Sequence, residues 1–201
     1  MVGDMNAPQP MPRPATYQDV LDAPPHMIAQ IVHGALHLQP RPAFPHSQAH
    51  SALQAEIASA FGRRRGGPAG PGGWRILFEP ELHLGEEVLV PDVAGWRRER
   101  MPALPATAWS DVVPDWVCEV LSPSTWRFDL TAKREVYAEV GVPHLWIVNP
   151  VARTLESFAL REGSWVLAAA LSGGDPVRLA PFEAVEWPLS ELWDEEPPAG
   201  T

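Results

Sequence analysis

The chain reads as a mixed α/β (α+β) domain, and three observations carry that expectation. Residues 116–149 run strand, helix, strand, and a unit of that length forms a right-handed parallel crossover. Ahead of it, residues 74–96 alternate with a period of two around a tight turn, as paired strands do. Behind it, residues 154–171 form a second hairpin pattern around Gly163.

Taken in order, residues 1–16 read as an N-terminal tail, 17–193 as one domain and 194–201 as a C-terminal tail. Residues 17–23 allow one or two helical turns before Pro24-Pro25. MIAQIVHGALHL reads as two short strands joined at His33-Gly34. A first long helix is expected at about 46–61, where Leu53, Ile57 and Phe61 recur at helical spacing and Ser47 is placed to cap. RRRGGPAGPGG, with five glycines and two prolines in eleven residues, ends it.

Two strands follow, Trp74–Leu84 and Val88–Trp96. A two-residue turn at Gly85-Glu86 sets Glu79 opposite Asp92, and one at Glu86-Glu87 sets Glu81 there. Either way a glutamate lies about 5 Å from Asp92 on one face. Trp116–Leu121 is nearly all apolar, as in a strand buried on both faces, so Glu119 in its middle needs a partner or a metal. A second helix is expected at about 130–140, with Asp129 as N-cap, Gly141 just past its end and Pro143 blocking continuation. Asp129, Lys133 and Tyr137 then share one stripe. His144–Asn149 closes the crossover, and Val177–Leu179, Val185–Trp187 and a turn at 189–193 complete the domain.

Composition narrows the function classes. No run of about 18 apolar residues exists, so no membrane span is expected. MVGDMNAPQPMPRP lacks the basic and apolar regions of a secretory signal, and a cytoplasmic location fits. The single cysteine, Cys118, excludes an intramolecular disulfide and a cysteine-based zinc site. A net charge of −10 argues against unspecific duplex binding, although arginines cluster at 63–65 and 97–100. Most of the nine tryptophans fall at apolar strand positions and read as core; Trp126, in the loop after Glu119, is the one kept as a contact for a substrate or partner.

Asp92 and Glu119 on neighbouring strands, with Lys133 on the next helix, are what metal-assisted phosphodiester hydrolysis requires. The carboxylates and the carbonyl of Val120 offer hard oxygen ligands to Mg²⁺ or Mn²⁺. Lys133 would hold or deprotonate water and offset developing charge. It is the only lysine, beside fourteen arginines. The competing reading makes Asp92 an edge-strand residue, pairs Glu119 with an arginine, and pairs Lys133 with Asp129 as a structural ion pair.

VPDVAGWRRERMP, then PDWVCEVLSPST, D-x-x-x-K-x-x-x-Y and GVPHLWIVNP, resembles the Uma-type restriction endonuclease family of the PD-(D/E)xK nuclease superfamily, across about residues 26–193. The resemblance implies a restriction-endonuclease-like αβββαβ core, a mixed sheet flanked by helices, and Mg²⁺-dependent cleavage of DNA. By motif, Asp92 takes the PD position, Glu119 the (D/E) position and Glu81 an acidic position one strand earlier. Leu121 stands where the superfamily's lysine usually sits, and Lys133 matches a lysine moved to the helix. His46 matches a family histidine that alone reads as a cap or a solvated residue, with a place near the site as the lesser reading. The family's E-L-I-D-G-E-L is replaced by AQIVHGAL, with Gln30, His33 and Ala35. Cutting two strands is easiest with two sites, which a homodimer would supply. The alternative function is a weak or inactive nuclease fold serving as an interaction module.

Overall fold

The computed structural model describes residues 13–40, 43–68 and 70–193. Of the two tails expected from sequence, residues 1–12 and 194–201 lie outside that range. Residues 13–16 are docked: Ala15 donates its N–H to Gly34 O at 2.8 Å, and Thr16 with Asp19 forms a capping box for α1 (Tyr17–Leu21).

β1 (Met27–Val32) and β2 (Ala35–Pro40) pair antiparallel around His33-Gly34, as the sequence suggests. Helix α2 (Phe44–Phe61) follows. It starts two residues before the expected position, because Pro45 suits the first turn; Ser47 does not cap it but bonds back to Ala43 O.

The two strands expected at 74–96 are in fact four. β3 (Trp74–Phe78) and β4 (Glu81–Leu84) run up, and β5 (Glu87–Leu89) and β6 (Val93–Arg97) run back. Leu84 pairs with Glu87, so the turn is Gly85-Glu86. The same register holds through Phe78 and Val93. Carried across the gap, it sets Pro80 opposite Pro91. Neither proline can donate to a ladder, so both strands break at one level. There the hairpin passes from one sheet into another, and Glu79 and Asp92 stand at the crossing.

β7 (Trp109–Ser110) and β8 (Trp116–Val120) precede a continuous helical stretch built of Trp126–Phe128, a π-helical turn Asp129–Lys133, and Arg134–Glu139. The helix begins before Asp129, so Asp129 is not its N-cap but sits inside it, buried. β9 (His144–Asn149), β10 (Thr154–Arg161), β11 (Ser164–Ser172), β12 (Pro176–Val177) and β13 (Trp187–Pro188) complete the strands.

The architecture is mixed α+β. A six-stranded sheet has the order β11-β10-β9-β8-β6-β3, with β8 and β9 parallel, and a five-stranded sheet has the order β2-β1-β5-β4-β7. Strand β8 lies at the centre, its two faces buried in different cores. Trp116, Cys118 and Val120 pack with α2 (Leu53, Ile57) and with Trp74, Trp146 and Phe182. Val117 packs on the other side with Trp96, Val136, Tyr137 and the five-stranded sheet's Leu82 and Leu89. Glu119 shares that second face. No helix among the described residues is long and apolar enough to cross a membrane.

Candidate active site

Glu119 is 1% exposed, and its surroundings explain how a carboxylate survives there. Lys133 Nζ donates to Glu119 Oε2 at 2.7 Å, and Tyr137 Oη donates to Oε1 at 2.6 Å. Both donors come from the helix, where Asp129, Lys133 and Tyr137 form the stripe that faces the sheet. Lys133 also reaches Asp129 Oδ1 at 3.4 Å and donates to Val90 O at 3.1 Å. The structural ion pair of the competing reading therefore exists, but as part of a larger cluster.

Asp92 enters from the strand break. Its Oδ2 accepts the Val120 N–H at 2.7 Å, and its Oδ1 lies 3.1 Å from His46 Nε2. Its main-chain O lies 2.8 Å from His50 Nε2, and its own N–H is 3.4 Å from Glu119 Oε2. His46 and His50 stand one turn apart on α2, both buried, so the expectation that His46 is a cap or a solvated residue is replaced by a place against Asp92. In the sequence His50 is legible only through its i, i+4 spacing from His46. His46, His50 and Asp92 bring ligand atoms within 4.8 Å of one another, a group able to hold a metal ion.

Between these elements lies a cavity of about 30 Å³, bordered by Glu79, Asp92, Glu119, Asp129, Lys133 and His46. That is room for one water-sized occupant. Glu79, at φ 37° beside the break, is the glutamate that borders it; its N–H donates to Asp92 O at 3.0 Å. Glu81 does not border it. Its Oε1 accepts from Tyr17 Oη and lies 2.8 Å from His83 Nε2, outside the cavity, because the Gly85-Glu86 turn fixes the register two residues away from the one that would have served it. Val120 contributes its N–H to Asp92 and does not border the cavity either.

Gln30 occupies the altered N-terminal motif. It is fully buried, accepts the Val90 N–H at 2.8 Å and donates to Gln39 Oε1 at 3.0 Å. It thus braces two residues of the cavity wall, Val90 and Gln39, without entering the cavity. Glutamate could not make the donation to Gln39.

The electrostatics follow from two buried carboxyls, Glu119 and Asp129, and the half-buried Asp92 facing one ammonium. Burial pushes Glu119 up to about 8, against the opposing pull of Lys133 and with the push of Asp129 and Asp92. Burial likewise raises Asp129. Burial acts against the charge on Lys133, but Glu119, Asp129 and Asp92 together hold its proton above the ordinary lysine range. Asp92 is the exception: burial raises it, yet the His46 contact, Lys133 and the Val120 N–H bring it below the usual carboxylate value. The cluster therefore holds one carboxylate firmly ionised and has a surplus of acid that a proton or a cation must neutralise.

The donors fit a hard divalent ion. Asp92 accepts one hydrogen bond on each oxygen, and Glu119 one on Oε1 and two on Oε2; a carboxylate has about four lone-pair sites, so each keeps capacity for a ligand bond.

The chain matches the model of the family Uma2, "Putative restriction endonuclease", over residues 14–190. Among curated proteins, none matches. Among solved structures it resembles a crystal structure of "a putative nuclease belonging to DUF820" from Anabaena variabilis ATCC 29413, with a TM-score of 0.72 and 20% identity over 89% of this chain and 97% of that one. At that identity the likeness speaks for the fold. The family match spans most of the chain, and the protein belongs to the Uma2 putative restriction endonuclease family.

Proposed function

We propose that this protein is a divalent-metal-dependent endonuclease that hydrolyses DNA phosphodiester bonds. The observation that carries the reading is the meeting of Asp92, Glu119 and Lys133, from a strand break, a central strand and a helix, at one small acidic cavity. Asp92 and Glu119, with Glu79 beside them, would hold Mg²⁺ or Mn²⁺, which when bound polarises the phosphoryl oxygen and acidifies a water. Lys133 holds positive charge near the phosphoryl oxygens, where negative charge develops, and its three oxygen partners fix its direction. His46 keeps Asp92 ionised and oriented. With His46 and His50 nearby, the donor set suits Mn²⁺ at least as well as Mg²⁺, because imidazole is a softer ligand than a carboxylate.

The test is cleavage of plasmid and single-stranded DNA by purified protein with Mg²⁺ or Mn²⁺, beside Asp92→Ala and Lys133→Ala. Cleavage by the wild type and not by either variant supports the reading. Absence of cleavage by all forms, with no calorimetric metal binding, sinks it. A second reading, an inactive nuclease fold acting as an interaction module, is favoured by one observation. Lys133 is 2% exposed and fully engaged with acids and a carbonyl, as a structural lysine would be.

A further inference from the structure

A groove of about 400 Å³ opens next to the acidic cavity. Leu121, Leu130 and Val151 line its apolar part, Trp126 flanks it, and Ser122 and Asn149 supply polar groups. Ser122 borders both spaces, so the groove and the cavity are neighbours sharing a wall. Resting on the nuclease reading, we propose that this groove is a nucleobase subsite, which seats an unstacked base of the strand whose phosphate lies at the cavity.

Position is the first argument. β8 and β9 are the parallel neighbours of the six-stranded sheet, and the groove lies where both end, at Leu121 and Asn149. From there the chain leaves β8 for the helix and β9 for the turn into β10. Crevices outside the carboxyl ends of parallel strands are where ligands bind in such sheets.

Chemistry is the second. Trp126 is 43% exposed and Val151 79%, which leaves a large aromatic face and an aliphatic one open beside the site. A phosphate alone would have no use for them. A purely apolar partner would have no use for Asn149. The side-chain oxygen of Asn149 accepts the N–H groups of Val151 and Ala152, at 3.1 and 3.0 Å. That fixes the amide and leaves its NH₂ to donate toward a ring edge. A flat heteroaromatic ring with polar edges satisfies both sets of groups. The Arg127 guanidinium lies over one face of the Trp126 ring, 5.2 Å from its centre, and sets positive charge beside it, complementary to the flanking phosphates. A paired base inside a duplex presents no face to Trp126. The substrate this geometry selects is therefore single-stranded, frayed or flipped DNA.

The experiment measures binding and cleavage separately, on the full chain at low salt. A single-stranded oligonucleotide carrying 2-aminopurine is titrated into Lys133→Ala protein with Mg²⁺, with and without Trp126→Ala or Trp126→Phe, and against the matching duplex. Expected are quenching of the base on binding, tighter binding of the single strand than of the duplex, a loss of about tenfold or more in Trp126→Ala, and retention of most affinity in Trp126→Phe. In otherwise wild-type protein, Trp126→Ala raises KM more than it lowers kcat. Unchanged affinity and quenching in Trp126→Ala overturn the subsite, as does duplex binding that is tighter and indifferent to Trp126. A Trp126-dependent dimer in sedimentation, with DNA binding unaffected, also overturns it and makes the groove a contact between copies. Cleavage indifferent to Trp126 removes the subsite and leaves the nuclease standing. Trp126-dependent single-strand binding without any cleavage does the reverse.

Discussion

Lys133 shows how one side chain reconciles a buried cluster. Its ammonium faces Glu119, Asp129 and the Val90 carbonyl, and without it two carboxyls would have to stay neutral to remain inside. In Lys133→Met those carboxyls keep their protons at low pH and must ionise unpaired at high pH. The variant should then lose more stability at pH 8.5 than at pH 6, read as the difference in urea midpoint from wild type. The wild type has its own pH dependence. Glu119 titrates near 4.5 when unfolded and near 8 when folded. Between those values the folded chain binds a proton that the unfolded chain has released, so metal-free stability falls as pH rises from about 5 to about 8. A cation that replaces the proton reverses the trend. Mn²⁺ affinity should rise through pH 6–8, and the thermal midpoint with saturating Mn²⁺ should exceed the metal-free one by more at pH 8 than at pH 6. Flat calorimetric affinity across that range would contradict the placement of a metal at Glu119.

At the scale of elements, the helix and the broken hairpin do different work. The helix delivers its stripe to β8; the π-helical turn Asp129–Lys133 lies in its middle, a feature often found at functional sites. Tyr137→Phe keeps the packing and removes the donor to Glu119 Oε1, so it should cost about 1–3 kcal/mol in chemical denaturation. The hairpin's contribution rests on β6 running close between β3 and β8. A methyl group on Gly95 would meet Ile76 Cδ1 at 3.0 Å, Trp116 Cε3 at 3.2 Å and Trp74 Cε3 at 3.3 Å. Trp74 and Trp116 are buried and Ile76 is half-buried against them, so Gly95→Ala should destabilise by about 1–3 kcal/mol and lower metal affinity by shifting Asp92 three residues away. Metal affinity equal to wild type in a destabilised Gly95→Ala would show that the strand break, not β6, sets the position of Asp92.

For the whole molecule, the two faces of β8 differ: one packs into an aromatic core with α2, and the other carries Glu119 toward Lys133 and Tyr137. Phe182, from the segment after β12, sits within 4.7 to 5.7 Å of Phe61, Trp74, Trp116 and Trp146, ring centre to ring centre. Phe182→Ala should cost about 3–5 kcal/mol in denaturant unfolding. At a temperature where it remains folded, its metal binding should match the wild type, because the acids lie on the opposite face of β8. Of the strand tryptophans that read as core in the sequence, Trp74, Trp116, Trp146 and Trp187 are buried, and Trp165 packs half-buried against the second core.

The sequence by itself determined the coarse run of hairpin, crossover and hairpin and the core of the cluster, Asp92, Glu119, Asp129 and Lys133. Period-two and helical patterns are local, and a strand–helix–strand unit leaves its crossover little freedom. An acid in the apolar run of β8 demanded a partner, and the stripe of Asp129, Lys133 and Tyr137 identified the helix face that supplies it. What the tertiary structure decided were the choices that depend on register and on contacts distant in sequence. The sequence allowed either Glu79 or Glu81 beside Asp92; the Gly85-Glu86 turn selects Glu79 and leaves Glu81 with Tyr17 and His83. Pro80 and Pro91 were both visible, but only pairing sets them opposite each other, and only together do they split a long hairpin between two sheets. His46 and His50 gained meaning when α2 packed against Asp92, a contact more than forty residues away in the chain. Local patterns fix what each segment is, and the packing of segments fixes which side chains share a cavity.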